Sequence, residues 1–272
     1  LEAIKAGVAK IRLNPGNIGD RDEVQRVIDA AGDAGVAIRV GVNEGSVANR
    51  RDKKQLAKDL TVPLEELMLE KLTEYYEIFE RAGFDKLVFS AKSHDAVTTI
   101  SVNRAISQQF DFPLHLGVTH AGTATTGAIR SAAALGALLS EGIGDTIRIS
   151  YAGSPVPEVH AAKELLASLR LIPRDRAELI ACPTCGRLQM DLQPIVKEVE
   201  AALQSIRISR PVKVAMMGCV VNGPGEADNA DIAICAGKGK AILYRNGERI
   251  KNVPTDEIAK TVIEEVRKLA RS

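Results

Sequence analysis

The sequence contains no tryptophan, and aromatic residues make up only 3% of it. That leaves little from which to build a platform for stacking the bases of a single strand. An excess of charge of one sign is also missing. The formal net charge is +1, so no bulk signature of nucleic-acid or membrane-surface binding is present. No apolar run approaches the length that spans a bilayer, and no signal-peptide pattern opens the chain. Cysteine is scarce, with four in 272 residues. Without a secretory signal, those four point to a reducing compartment and to a metal or redox role rather than a disulfide framework. Low-complexity segments are absent. Asn49–Asp59 is strongly charged and reads as an exposed loop or helix start. Apolar residues are plentiful enough for a real core, and the length suggests one large or two modest domains.

What the chain does have is two short cysteine segments toward its C-terminal end. They are Cys182-Pro183-Thr184-Cys185-Gly186 and Gly218-Cys219-Val220-Val221-Asn222-Gly223-Pro224-Gly225-Glu226. Thiolates are ligands for soft metals and iron–sulfur clusters once folding brings them together. A lone Cys-x-x-Cys is shared by zinc, redox and iron–sulfur sites. A third cysteine beside a Gly-Pro-Gly segment strengthens the reading as a metal centre. Gly223, Pro224 and Gly225 predict a tight, side-chain-poor turn. Such a turn lets the backbone pass close to a bulky inorganic centre and aims Glu226 at it. Cys235, inside Ile232-Ala233-Ile234-Cys235, reads as a buried core thiol, which leaves Glu226 as the candidate fourth ligand.

Upstream, one theme recurs. Predicted strands at Val8–Leu13, Val36–Val42, Lys86–Ala91, Leu114–Thr119 and Thr146–Tyr151 alternate with predicted helices at Asp20–Ala34, Pro63–Ala82, His94–Phe110, Thr125–Ser140 and Pro157–Leu169. Such alternation predicts an α/β fold with a parallel sheet and helices outside it. Gly35, Gly83 and Gly142 stand where helix C-caps are expected. Polar residues cluster at the strand ends: Arg12, Asn14, Arg39, Asn43, Lys92, His120, Arg148 and Ser150. In a parallel barrel the chemistry sits at the C-terminal ends of the strands, and several strands contribute. Guanidinium groups gathered there suit a phosphate or diphosphate, whose oxygens they bind bidentately. Each taken alone reads equally as a solvated rim charge; the recurrence is the signal. An eight-stranded barrel takes about 250 residues, so the expectation is a partial TIM-type β/α barrel over residues 1–172, with three strand–helix units lying upstream of Leu1; the alternative is an open sheet that is complete as given.

Past Leu169 the pattern changes. Strands are expected at Leu179–Cys182, Val212–Met217, Asp231–Ala236 and Ala241–Tyr244. Helices are expected at Leu192–Ile206 and Thr255–Leu269, the latter with Ile258, Val262, Ile263 and Val266 at helical spacing. This predicts a smaller α+β domain over residues 173–272 that carries the cysteines.

The segments Leu13 to Gly19, Leu114 to Thr119, Ser140 to Thr146, Ala181 to Cys185 and Gly218 to Glu226 together resemble one family, in the same order and along the whole chain. It is the 4-hydroxy-3-methylbut-2-enyl diphosphate synthase family of the non-mevalonate isoprenoid pathway. The resemblance implies an oxidoreductase that opens 2-C-methyl-D-erythritol 2,4-cyclodiphosphate reductively and removes a hydroxyl as water. It implies a 4Fe–4S cluster held by Cys182, Cys185, Cys219 and Glu226, with ferredoxin or flavodoxin as electron donor. It places Arg12, Arg39, Asn43, Lys92, Arg148 and Ser150 at substrate-contacting positions. It also implies a homodimer in which the cluster domain of one subunit caps the barrel of the other, working in bacterial cytoplasm or plastid stroma. The family's chain is longer at its N-terminus, and the extra part carries further substrate-binding residues. The family usually has Thr-Glu-Ala-Gly where this chain has Thr119-His120-Ala121-Gly122. That glutamate is a proposed proton donor, so His120 is kept as a catalytic candidate, since histidine can donate a proton near neutral pH.

Two rival readings stay open on the residues alone. One is a zinc-stabilised binding protein without redox chemistry, whose weakness is the ligand count. The other is a pterin- or corrinoid-handling transferase on a similar barrel, with the cysteines incidental. His115, between Leu114 and Leu116, reads as pointing into the barrel or as a satisfied core group. His94 and His160 open helices and read as structural or solvated.

Overall fold

The computed structural model describes residues 1–14, 20–47, 61–182, 185–219, 221 and 223–271, the side chains of 226 and 227 excepted. Within it the chain divides into two compact units, Leu1–Leu171 and Ile172–Ser272. Segment 48–60, with the charged stretch noted above, lies outside the described residues, as do Pro15 to Gly19.

In the first unit, strands β1 (Lys10–Leu13), β2 (Ala37–Asn43) and β3 (Leu87–Lys92) form a parallel sheet, and β4 (His115–Gly117) and β5 (Thr146–Arg148) form a parallel pair. A single parallel bridge, Phe89 to Leu114, relates β3 to β4. No closed barrel forms among the described residues. The ladder thins at β4 for a local reason. Pro113 has no N–H to offer, and the Leu114 N–H donates to the Asp145 carboxylate at 2.7 Å instead of to a strand.

Alternation gives this sheet two unlike faces. Ile38, Val40, Phe89 and Leu116 are fully buried and pack with Ile28, Leu72, Phe79, Ile106, Leu135 and Leu138. Those partners come from helices Arg21–Asp33, Leu64–Arg81, Ala96–Gln109 and Ala124–Ser140. Burying a large aliphatic side chain contributes about 1.5–3 kcal/mol, so this layer holds the unit together. The helix ends are set by the sequence. Asp20, Asp95 and Ser154 accept from the first-turn N–H groups of Asp22, Thr98 and Val156, as N-caps do. The expected C-cap glycines Gly35, Gly83 and Gly142 adopt φ of +67°, +66° and +76°. Around Gly35 the Val36 N–H reaches back to the Ala31 carbonyl at 2.8 Å, the closing bond of a Schellman end.

The second unit is a five-stranded sheet in the order β10-β9-β8-β7-β6. Strands β6 (Glu178–Ala181), β7 (Lys213–Met217) and β8 (Ile232–Ala236) are parallel, while β9 (Lys240–Arg245) and β10 (Glu248–Pro254) are antiparallel additions. Helices Gln193–Leu203 and Ile258–Arg271 bury Val199, Leu203, Ile258, Val262 and Val266 against Val214, Met216, Ile234 and Leu243. The opposite face is made of Ala215, Met217, Ala233 and Cys235. Two expectations are corrected here. Strand β10 was not expected at all. The segment after Cys219 is a short helix, Gly223–Ala227, rather than a bare turn. Proline in a first helical turn gives up an N–H that would have no partner there, so Pro224 starts this helix instead of breaking it.

Candidate functional site

The polar face of the first sheet gathers most of the basic residues expected from sequence. Arg12 pairs in register with Arg39, and Asn43 pairs with Lys92. Continuing the Phe89–Leu114 bridge sets Lys92 opposite Gly117, which pairs with Arg148. Alternation therefore puts Arg12, Arg39, Asn43, Lys92, His115 and Arg148 on one face; Asn43, Lys92 and Arg148 close their strands, while Arg39 lies within β2 and His115 opens β4. Lys92 is buried, Arg39 and Asn43 are half-buried, and Arg12 and Arg148 are exposed.

The electrostatics follow from that crowding. Lys92 is pushed down to about 6, first by burial and then by Arg148, Arg39 and Arg12. Arg39 is lowered by burial and then by Arg12 and Arg148. Arg148 is lowered by loss of hydration, with Glu158 pulling the other way and Arg12 adding to the decrease. His115 falls to about 3 through burial, then Lys92, Arg39 and Arg148, and its Nδ1 lies 2.8 Å from the Thr146 hydroxyl. One guanidinium nitrogen of Arg39, Nη1, is buried with no hydrogen-bond partner among the described residues. A buried unpaired donor costs about 1–3 kcal/mol or more when charged. Mutually repelling cations and an unused donor are what an anion would neutralise and satisfy.

Residues not singled out from sequence organise the rim. The Ser46 hydroxyl donates to the Asn43 carbonyl at 2.9 Å and lies 3.4 Å from Asn14 Oδ1, so it ties Asn14 to Asn43. Glu44, the next residue after β2, accepts from the Ser93 hydroxyl at 2.8 Å and lies 2.6 Å from His94 Nδ1. Burial alone would raise this carboxyl, but the bonds from Ser93 and His94 hold it below its ordinary value. His94 therefore clamps the ends of β2 and β3 together, the structural of the two readings its position allowed. His120 is exposed, in the loop after β4, with φ of 51°; Ser150 follows β5 and is half-buried.

In the second unit the thiols share one sheet edge. Cys182 follows β6 and Cys219 follows β7, and these strands are parallel neighbours, so both thiols stand at their C-terminal ends. The Cys182 N–H donates to the Met216 carbonyl at 2.9 Å, and the Gln189 N–H donates to the Gly218 carbonyl at 3.0 Å. The second bond folds the loop that carries Cys185 back onto the residue before Cys219. Cys185 is exposed, Cys182 half-buried and Cys219 buried. Cys235 lies within β8 inside the core, and its thiol is pushed up to about 11 by burial and then by Cys219. A Cβ at Gly223 would lie 2.5 Å from the Cys235 sulfur, so the backbone of the Gly223 helix closes over that atom. Cys182 and Cys219 thus stand at the ends of neighbouring strands, and Cys235 lies in β8, the next strand over. Among the described residues, no three His, Cys, Asp or Glu stand close enough to share a metal ion. The Glu226 side chain, Pro183, Thr184, Val220 and Asn222 lie outside the described residues. No helix among the described residues is long and apolar enough to cross a membrane.

Comparison with known proteins joins the two units. The GcpE TIM-barrel domain matches residues 1–163, and the GcpE protein C-terminal domain matches residues 178–268. Three curated relatives all carry the name 4-hydroxy-3-methylbut-2-en-1-yl diphosphate synthase (flavodoxin). The one from Corynebacterium jeikeium is 46% identical over 269 residues, covering 98% of this chain and 68% of its own. That from Clostridium perfringens is 46% identical over 263 residues, covering 97% and 73%. That from Malacoplasma penetrans is 44% identical over 269 residues, covering 99% and 71%. With both domains matched in order and identity sustained from end to end, the chain belongs to the GcpE family.

Proposed function

We propose that the chain is a 4-hydroxy-3-methylbut-2-en-1-yl diphosphate synthase that takes electrons from flavodoxin. Its substrate is 2-C-methyl-D-erythritol 2,4-cyclodiphosphate, opened reductively with loss of a hydroxyl as water. The observation that carries this reading is the single face bearing Arg12, Arg39, Lys92 and Arg148, with the buried, unpartnered Nη1 of Arg39. In this reading residues 1–172 are an arc of a TIM-type barrel that binds substrate, and residues 173–272 carry the redox centre.

Each residue has a physical task. The cations neutralise the diphosphate and fix the reacting carbons by holding both phosphoryl groups. Asn14, Asn43 and Ser150 add neutral donors at the rim. His120, exposed beside this face, is the proton donor for the departing hydroxyl. Cys182, Cys185, Cys219 and Glu226 would hold a 4Fe–4S cluster, which when bound supplies electrons one at a time. A homodimer in bacterial cytoplasm, with one copy's cluster unit capping the other's cationic face, completes the reading.

The test is anaerobic purification with iron, acid-labile sulfide and zinc analysis, followed by turnover of the cyclic diphosphate with reduced flavodoxin. About four irons and four sulfides per chain are expected. Cys235→Ala should keep them, and Glu226→Ala should make them labile. Stoichiometric zinc without sulfide would overturn the redox reading. Light scattering on the anaerobic protein tests the dimer.

A further inference from the structure

Two glycines lie within strands on the cationic face, one inside its strand and one at a strand's last position, and glycine in a strand is costly. It brings no side chain to pack and loses more backbone freedom on ordering than any other residue. Gly41 is in β2 and Gly117 in β4. Neither has a positive φ, so the backbone does not call for glycine at either place. The space around them does. A Cβ on Gly41 would lie 3.1 Å from Nε, 3.6 Å from Nη2 and 3.8 Å from Cζ of Arg12. Arg12 pairs in register with Arg39, so its side chain runs diagonally across β2 and rests over Gly41, between Arg39 and Asn43. A Cβ on Gly117 would lie 3.2 Å from Cε of Lys92 and 2.9 Å from the Arg148 carbonyl oxygen. The arrangement repeats: a cation from one strand lies across a glycine of the next.

We propose that Gly41 and Gly117 are positioning residues of the diphosphate site, each a side-chain-free track along which the neighbouring strand's cation, Arg12 or Lys92, lies flat against the sheet. The inference rests on the diphosphate reading above. The tracks set how deep the positive charges sit, and therefore how close to the strands the diphosphate is drawn. A methyl group at Gly41 would lift Arg12 toward solvent; at Gly117 it would meet both Lys92 Cε and the Arg148 carbonyl oxygen. Charge-assisted contacts weaken quickly with such misplacement, because their strength depends on short, aligned geometry.

Gly41 gives the cleaner test, since every atom an added methyl would meet belongs to the mobile end of Arg12. Calorimetric affinity for the cyclic diphosphate and for inorganic pyrophosphate would be measured on the intact, anaerobically purified chain. The variants are Gly41→Ala, Arg12→Ala and the double substitution, each with a thermal melt. Gly41→Ala should bind about tenfold more weakly while melting at or above the unsubstituted temperature. In the Arg12→Ala background the same change should cost nothing further, because the side chain it displaces is gone; such coupling is read from a double-mutant cycle. Gly117→Ala is no substitute, because its methyl would meet the Arg148 carbonyl oxygen at 2.9 Å whether or not Lys92 is present. Unchanged affinity in Gly41→Ala, or losses that simply add, would overturn the inference while leaving the diphosphate reading intact. A lowered melt with full affinity would also overturn it, since the glycine would then serve only the fold. Failure of the unsubstituted chain to bind either probe would overturn the diphosphate reading itself, and the inference with it.

Discussion

Lys92 concentrates the electrostatic conflict of the molecule in one side chain. It is 5% exposed, and burial with Arg148, Arg39 and Arg12 brings it from 10.5 to about 6. The sign of its effect follows. Between those two values the unfolded chain holds a proton that the folded chain has shed, so this residue's contribution to stability rises with pH across that window. At neutral pH Lys92→Met should therefore melt higher, by about 1–4 kcal/mol in stability, as replacement of buried charges by apolar groups often does. The gap should narrow toward pH 10. An anion on the same face reverses the balance and recharges the amine. Pyrophosphate binding at pH 8, followed in buffers of different ionisation enthalpy, should take up about one proton more than it does in Lys92→Met, a comparison that cancels the ligand's own ionisation. Equal proton exchange in the two proteins would show that Lys92 is charged before the ligand arrives. His120 makes a different kind of prediction. If it is the proton donor proposed above, it should lose about 10²–10⁴ in kcat on change to Gln with KM little altered, and His120→Glu should recover part of the rate. A change confined to KM would make it a binding residue.

At the scale of single elements, legibility depended on whether a segment buries an apolar stripe. Helix Leu64–Arg81 and the terminal helix could be read because Leu72 and Phe79, or Ile258, Val262 and Val266, recur at helical spacing and are fully buried. Strand β10 is an edge strand whose residues Glu248 to Asn252 are all exposed, so it shows no alternation to read. A signal was present all the same. Asn246 and Gly247 precede it with φ of 48° and 79°, the backbone of a type I′ hairpin turn, and Asn-Gly is the sequence most typical of it. The helix Gly223–Ala227 was hidden for the opposite reason, since a Gly-Pro-Gly run looks like a turn and only packing made it helical. That packing yields a prediction. A Cβ on Gly223 would lie 2.5 Å from the Cys235 sulfur and 2.9 Å from its Cβ. Gly223→Ala should push the helix off β8 and lower bound iron and sulfide. Cys235→Ala added to it removes the sulfur contact and should restore part of the loss. If Gly223→Ala retains full metal content, the seat of this helix on Cys235 is not what presents Glu226.

For the molecule as a whole, the strand–helix alternation announced an α/β unit and the cysteine segments a second one, because both patterns are local. The shared face of Arg12, Arg39, Lys92 and Arg148 could only be guessed from strand ends, since register is a tertiary property; so could the common edge of Cys182 and Cys219. What register adds is that the four cations share one face of the first unit and that Cys182 and Cys219 follow neighbouring strands of the second. The second unit also has the means to stand alone. Its core includes the fully buried Val214, Met216, Ile232, Ile234 and Val262. Glu265 on the terminal helix pairs with both Arg245 of β9 and Lys268. A domain of about 100 residues with one such core can fold independently. Residues 172–272 expressed alone should therefore melt cooperatively and, on anaerobic reconstitution, bind iron and sulfide. Pyrophosphate should leave that melt unmoved, yet raise the melt of the intact chain, where ligand at 100 times its Kd adds about 2.7 kcal/mol. A fragment without a cooperative transition would show that the sheet and its two helices need the first unit to hold their core. A fragment stabilised by pyrophosphate would mean that anion binding extends beyond the four cations on the β1–β5 face.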